Sequence, residues 1–431
     1  MNRESVLTDP FPVPTAKGPV NARVSLPGSK SFTNRALPIA ALAAGISVLS
    51  GVLNSDDTRY MVEALQQLGI VIDLEWDADR LTVHGADGFV PVDKADLFLG
   101  NSGTSMRFLT ALGSLAHGQI RLDGTVRMRQ RPLAPLIDGL ESLGINIRSE
   151  SNNGCPPVVI VSNGLPGGTV EMAGELSSQY FSALAMMLPY ADEPLDIRVQ
   201  GDLVSQPYLD MTAGTMADFG VELHHEEYQR IWVTPGQRYA ARQYAIEPDA
   251  SAASYFFALA AVTGGTIVVE RLPASSLQGD TRFVDVLEQM GCVVVRRLND
   301  ISVTGPDQLN GIEIDMNSIS DTVQTLAAIA PFARNPVVIR NVRHIRYKET
   351  DRISAVATEL RRLGIMVEEF DDGIAIQPGI PKPAVIQTYD DHRMAMSFAI
   401  AGTRTPGIQI ADPGCVAKTV PGFWDILLPL L

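Results

Sequence analysis

Apolar residues recur at helical spacing in five stretches, each closing on a glycine and an apolar run: Met61-VEALQQLGIVI, Leu136-IDGLESLGINI, Met211-TAGTMADFGVEL, Val284-DVLEQMGCVVV and Ala355-VATELRRLGIMV. Leu133, Leu136, Leu140 and Leu143 fall on one helical face, as do Ile353, Val356, Leu360 and Leu363. The closing glycines are Gly69, Gly144, Gly220, Gly291 and Gly364, 71 to 76 residues apart, and each fits a left-handed helix end before a strand. Upstream of these lie helices rich in Ala, Leu and Phe, predicted near Arg35, Met106, Tyr180, Tyr255, Val323 and Met394. Strand-like runs such as Ile46-SVLSGV, Gln119-IRLDG, Thr266-IVVERL and Pro336-VVIRNV follow most of them. One such match is ordinary amphipathicity. Regularly spaced copies with similar flanks indicate instead a duplicated unit of about 74 residues, with two helices and several strands in each. A sixth, truncated copy closes at Phe423-WDILLPLL.

Two long uncharged stretches, 36–53 and 250–269, raise the question of a membrane. The first is broken by Pro38, Gly45 and Gly51 and the second by Gly264-Gly265, so each reads as a buried helix, a glycine stop and a buried strand. The first twenty residues carry no signal or transit pattern. At 431 residues, 45% of them apolar and 19% charged, the chain has material for two or three packed domains. With 34 basic and 49 acidic side chains the net charge is −15, which argues against nucleic acid or an anionic membrane as partner. Small anions remain open, because a few cations can converge inside an acidic protein. Cys155, Cys292 and Cys415 lack metal-binding or disulfide-framework spacing, and a reducing cytoplasm suits them. The six histidines form no metal constellation. His224-His225 is an isolated, solvent-facing pair, and only His392 sits in a dense polar motif. No metal or cofactor is expected.

The polar residues entering the buried helices are distinctive. They read Gly28-SKS, Gly100-NSGTS, Glu175-LSSQ, Glu247-PDAS, Ser320-DT and Asp390-DHR. Helix starts offer free N–H groups and a positive dipole end to anions. Taken singly, N-capping explains each motif. A cation at a helix start opposes the dipole, however, so Lys30, Arg35, Arg107 and Arg393 make sense there if an anion lies between. The second helices open with Met128-RQRP, Val204-SQPY, Arg346-YKETDR and Ala417-KT. The alternation of Arg346, Lys348 and Arg352 with Glu349 and Asp351 also fits an exposed, salt-bridged face. Neither GxGxxG nor GxxxxGK[ST] occurs, which disfavours a nucleotide.

Leu26-PGSKSFTNR, Gly100-NSGTSMR, Arg129-QRP, Ser177-SQY, Ser205-QPY, Glu247-PDAS, Tyr347-KETDR, Asp391-HRMAM and Asp412-PGCVAKT together resemble the 5-enolpyruvylshikimate-3-phosphate synthases of the enolpyruvyl transferase family, in the family's order. The resemblance implies an α/β fold of two domains, an inside-out α/β barrel of six βαβαββ repeats, three per domain. Residues 1–27 and 248–431 would form one discontinuous domain and 28–247 the other, with the active site in the cleft between them. It also implies transfer of the enolpyruvyl group of phosphoenolpyruvate to the 5-hydroxyl of shikimate 3-phosphate, by a monomer that closes on its first substrate.

By the same resemblance, Lys30, Ser31, Arg35, Ser177, Ser178, Gln179, Ser205, Tyr208, Asp321, His344 and Lys348 bind shikimate 3-phosphate. Lys30, Asn101, Gly103, Arg131, Gln179, Arg352, Arg393 and Lys418 bind phosphoenolpyruvate. Catalysis would fall to Asp321 as base, Glu349 as proton shuttle at the methylene carbon, Lys418 at the leaving phosphate, and Lys30 and His392. Seven cations (Lys30, Arg35, Arg131, Lys348, Arg352, Arg393 and Lys418) would offset the repulsion between the two substrates. Phe108 stands where many members have proline, which points to a shifted start for that helix, and His344 replaces an asparagine found in some members. Gly103 is kept, leaving room for the family's inhibitor, glyphosate. UDP-N-acetylglucosamine enolpyruvyl transferase is the nearest alternative, but its loop cysteine is missing from Asp123-GTVRMRQRPLAP. A clamp-like repeat scaffold is the other, and it should present a basic surface.

Overall fold

The computed structural model describes residues 7–431 and resolves the repeat into six sheets. Twelve α-helices are present among the described residues. The first six are α1 Lys30–Leu42, α2 Asp56–Gln67, α3 Gly103–Gly113, α4 Ala134–Ser142, α5 Gln179–Ala185 and α6 Pro207–Asp218. The others are α7 Ala250–Thr263, α8 Phe283–Gln289, α9 Val323–Ile329, α10 Arg352–Arg362, α11 His392–Gly402 and α12 Phe423–Leu427. Odd-numbered helices are the Ala- and Leu-rich ones, buried almost all round. The even-numbered helices α2 to α10 keep a solvent face and end in the expected glycines, with φ between +80° and +102°. Among the described residues no helix is long and apolar enough to cross a membrane.

Each complete repeat builds a four-stranded mixed sheet by the same route. Strands 94–98 and 117–123 run parallel because α3 crosses between them, as a βαβ connection requires. After α4 the chain forms a hairpin. Its second strand, 158–163, pairs antiparallel with 117–123 and leaves 146–149 at the edge. Five sheets follow this plan. The sixth is shorter: 384–386 and 408–410 pair around α11, no hairpin follows α12, and Phe11–Pro12 supplies the antiparallel strand.

Two short strands are exchanged. Ala22–Val24 precedes α1 in sequence but pairs with 266–270, beyond α7. Gln243–Ala245 precedes α7 but pairs with 44–50, beyond α1. The chain consequently divides into two compact units, 1–27 with 248–431 and 28–247. Each unit has its own apolar core, with Phe108, Phe181 and Phe219 in one and Phe256, Phe283 and Phe398 in the other. Along α7, α9 and α11 the hydroxyls of Ser254, Thr325 and Ser397 link the three helices at 3.0 and 3.5 Å.

Where the unit of residues 28–247 begins, the backbone packs tightly: a Cβ on Gly28 would run into the Gly51 carbonyl. Gly220, by contrast, has open space around it and needs glycine only for its φ of +89°. Gly220→Ala should therefore lower the unfolding free energy by about 1 kcal/mol, and Gly28→Ala by distinctly more. Urea titration of both variants checks this. Equal losses would show that the close approach at Gly28 carries no weight.

Candidate active site

In the unit of residues 28–247, side chains tie five helix starts together. Ser29 caps α1, its Oγ accepting from the Phe32 N–H at 3.4 Å, and so sets Lys30 and Ser31 in the first turn. The Lys30 ammonium lies 3.3 Å from the Asp57 carboxylate in the first turn of α2. Ser105 of α3 donates to the Asp57 carbonyl at 3.3 Å, and Gln179, first in α5, donates to Thr104 at 3.3 Å. Arg35 reaches the start of α6, donating to the Tyr208 carbonyl at 2.9 Å and to Thr212 at 2.8 Å. Its guanidinium is 1% exposed and lies near the rings of Phe108 and Tyr208, with none of its hydrogen bonds going to a carboxylate among the described residues. Burial pushes Arg35 down to about 10, leaving it charged at neutral pH.

Two guanidiniums converge on the first turn of α3. Arg131 donates to the Asn101 carbonyl at 3.0 Å and to its Oδ1 at 3.2 Å. Arg107 donates to the Gly103 carbonyl at 2.8 Å and lies over the Tyr180 ring. A Cβ on Gly103 would run into both guanidiniums. The sequence marked Arg107 as an odd cation at a helix start but did not place it among the site residues. Its position four residues after Gly103, on the same helical face, was the available signal. Phe108 does not displace the helix: α3 begins at Gly103, and Phe108 is buried beneath Arg35. Ser177 and Ser178 are buried just before α5, and Ser205 holds a left-handed φ of +53° before α6.

A buried ion cluster organises the other unit. Arg352, first residue of α10, spends each nitrogen on a different carboxylate: Nε on Asp391 at 2.8 Å, one terminal nitrogen on Asp321 at 3.0 Å and the other on Glu349 at 2.8 Å. Burial pushes this guanidinium down, but the carboxylates of Asp391, Glu349 and Asp321 outweigh it and hold the group above the ordinary arginine value. Asp321, in the 3-10 turn Asn317–Thr322, also accepts from Arg393 at 2.6 Å. Asp391 caps α11, one oxygen accepting from the Arg393 N–H at 2.9 Å. His392 is buried beside it, with Nδ1 3.6 Å from Asp391. His344 is buried, and desolvation together with the Lys348 charge pushes it down to about 3, so it is neutral. Lys418 ends the 3-10 turn Pro413–Lys418, which packs on α11.

Asp280 went unmarked in the sequence, where Gly279-DTR looks like an ordinary loop. It is buried, receives the Ser251 hydroxyl, and is pushed up to about 7 by burial and by the negative charge of Asp321. The alternation of charges at 346–352 resolves into two roles. Arg346 and Asp351 pair at 2.8 Å in the half-exposed setting expected of a salt-bridged face, whereas Glu349 and Arg352 turn inward. The count of seven cations overstates the positive charge open to a ligand. Lys30 lies against Asp57, Arg393 against Asp321, and Arg352 against three carboxylates. Burying a guanidinium with neither carboxylates nor other hydrogen-bond acceptors around it would be costly. Among the described residues no group of His, Cys, Asp or Glu is arranged to hold a metal ion.

Residues 14–427 match the family described as EPSP synthase (3-phosphoshikimate 1-carboxyvinyltransferase). A 3-phosphoshikimate 1-carboxyvinyltransferase of a Nostoc species is 52% identical over 96% of this chain and 98% of its own. One from Nostoc punctiforme is 51% identical over 98% of this chain and 99% of its own. Among solved structures, an EPSP synthase from Acinetobacter baumannii superposes with a TM-score of 0.83 at 25% identity, covering 98% of each chain.

The neutral, buried His344 has a consequence for acid stability. An unfolded histidine gains its proton below about 6.5, whereas the folded one resists it down to about 3, so stability is lost as pH falls through that window. By pH 5 this group should have removed about 2 kcal/mol relative to pH 7. Urea midpoints at the two pH values should converge in His344→Asn relative to the parent. An unchanged pH dependence would mean His344 is protonated in the fold.

Proposed function

Since the chain belongs to the EPSP synthase (3-phosphoshikimate 1-carboxyvinyltransferase) family, we propose that the two clusters of helix-start cations and carboxylates are its substrate-binding and catalytic groups. The reaction transfers the enolpyruvyl group of phosphoenolpyruvate to the 5-hydroxyl of shikimate 3-phosphate and releases phosphate, a step of the shikimate pathway toward chorismate and the aromatic amino acids. This displaces the sugar-nucleotide transferase and scaffold alternatives. The observation that carries the residue assignment is the convergence of Arg131 and Arg107 on the first turn of α3. Such an arrangement is suited to a small, multiply charged anion.

Shikimate 3-phosphate takes its ligands from Ser31, Arg35, Ser177, Ser178, Gln179, Ser205 and Tyr208, with Lys30, His344 and Lys348. A neutral imidazole can donate one hydrogen bond and accept another, which lets His344 serve a hydroxyl or carboxylate as an amide would. Phosphoenolpyruvate is held by Lys30, Asn101, Gly103, Gln179 and Arg131 and by Arg352, Arg393 and Lys418. Both lists name residues of both units.

In the addition step the 5-hydroxyl oxygen bonds to C2 of phosphoenolpyruvate, its proton passes to a base, and C3 receives a proton. In the elimination step C3 loses a proton, the C2–O bond to phosphate breaks, and the double bond returns. Asp321 is the base, because two guanidiniums hold it as an anion. Glu349 moves the proton at C3. Its bond to Arg352 favours the charged form, so Lys418 shares the acid's role at the departing phosphate. The reaction proceeds in a monomer in the cytoplasm, a setting that suits three free thiols. Glyphosate, also a small anion, competes with phosphoenolpyruvate for the Arg131 guanidinium held against Gly103.

A coupled phosphate-release assay with both substrates tests the function directly, and silence across the neutral pH range rejects it. Arg131→Lys should raise the KM for phosphoenolpyruvate about tenfold, since the planar fork is lost, and leave that for shikimate 3-phosphate nearly unchanged. Equal losses would mean that Arg131 acts through folding. Asp321→Asn should lower kcat by about 100-fold to 10,000-fold while both substrates still bind in calorimetry. Retained turnover removes Asp321 as the base.

A further inference from the structure

The turn leading into α11 holds an unusual residue in an unusual conformation. The Asp391 N–H donates to the Thr388 carbonyl at 2.9 Å, and the two residues between them, Tyr389 and Asp390, have φ of +57° and +55°. Such turns favour glycine, asparagine and aspartate. Asp390 fits that preference. Tyr389 does not, because its Cβ crowds the following carbonyl and it has no short polar group to compensate.

What holds Tyr389 there is Glu359, a carboxylate with no exposed surface on the last turns of α10. The Tyr389 hydroxyl donates to Glu359 Oε1 at 2.6 Å, and the Gln387 N–H donates to Oε2 at 3.1 Å. Arg362 neutralises the carboxylate from the solvent side at 2.8 Å. Glu359 lies seven residues after Arg352, two helical turns or about 10 Å along the same face of α10. Arg352 itself grips Asp391. Residues 387–391 are thus strapped to one helix at two points, one inside the ion cluster and one well outside it.

We propose that Glu359 and Tyr389 form a latch that positions the start of α11, and through Asp391 sets the main-chain N–H and guanidinium of Arg393 and the ring of His392. The latch touches no reacting atom. Its kinetic effect rests on the reading that Arg393 binds phosphoenolpyruvate. A latch of this kind is needed only because residue 389 must be left-handed, and that makes it separable from a general packing role. Tyr389→Phe removes the hydroxyl but keeps the conformational penalty. Tyr389→Asn removes both, since asparagine accepts the left-handed region.

The experiment measures KM for each substrate and, on substrate-free protein, amide exchange across residues 388–393. Tyr389→Phe should raise the KM for phosphoenolpyruvate about fivefold, the loss of one good hydrogen bond, with that for shikimate 3-phosphate within about twofold. Exchange at Asp391 and Arg393 should quicken. In Tyr389→Asn both readouts should return close to the parent. Unaltered exchange in Tyr389→Phe overturns the proposal. So does a parallel rise of both KM values with a lowered unfolding midpoint, or an asparagine variant as impaired as the phenylalanine one. If the parent itself releases no phosphate, the functional reading fails, while the exchange comparison still decides the latch.

Discussion

Charge withdrawn from water must be met by opposite charge or by hydrogen bonds, and in this chain the beginnings of helices are where that condition is satisfied. Arg352 is nearly inaccessible and is tolerated because three carboxylates and the first turns of α10 and α11 surround it. Arg35 solves the same problem without a carboxylate, through carbonyls, a threonine and two aromatic faces. The buried, alanine-rich odd helices serve this arrangement. Their polar ends are grouped, and side chains such as Lys30, Ser105 and Gln179 link neighbouring helix starts.

This constraint alters how the electrostatics are understood. A chain of net charge −15 that handles anions looks paradoxical if positive charge is simply counted. In the fold, acidic residues are part of the cationic clusters. Asp57, Asp321, Glu349 and Asp391 orient lysine and arginine groups and keep them from repelling one another. The network is therefore already close to balance, and its donors point in fixed directions. Preorganised dipoles of this kind act strongly where water is excluded.

Much of this was legible in the sequence, for a local reason. Helical periodicity, left-handed glycines such as Gly69 and Gly364, and capping residues such as Ser29 and Asp391 depend on near neighbours along the chain, so their patterns survive in one dimension. The exchanged strands did not show. Ala22–Val24 and Gln243–Ala245 are too short to carry an alternation, and their partners are chosen by tertiary packing. Asp280 and Arg107 escaped for a related reason. Nothing near Asp280 in sequence says that it ends beside Ser251 and Asp321, and Arg107, marked only as a cation out of place at a helix start, is joined to the site by Arg131, which lies 24 residues away in sequence. The family resemblance supplied residues that pattern could not. It did not supply the pairing of cations with carboxylates, which joins residues distant in sequence.

The exchanged strands also bear on how the molecule is made. Residues 22–24 leave the ribosome early, but their partner, 266–270, emerges more than 240 residues later. At about 5–20 residues per second that is an interval of roughly 12 to 50 seconds. The unit of residues 28–247 contains all of its own strands and can settle during that time, while the amino-terminal strand stays unpartnered. Birth order therefore favours the unit of residues 28–247 maturing first, and the nascent chain carries an open edge that other polypeptides or chaperones can engage until residues 266–270 emerge.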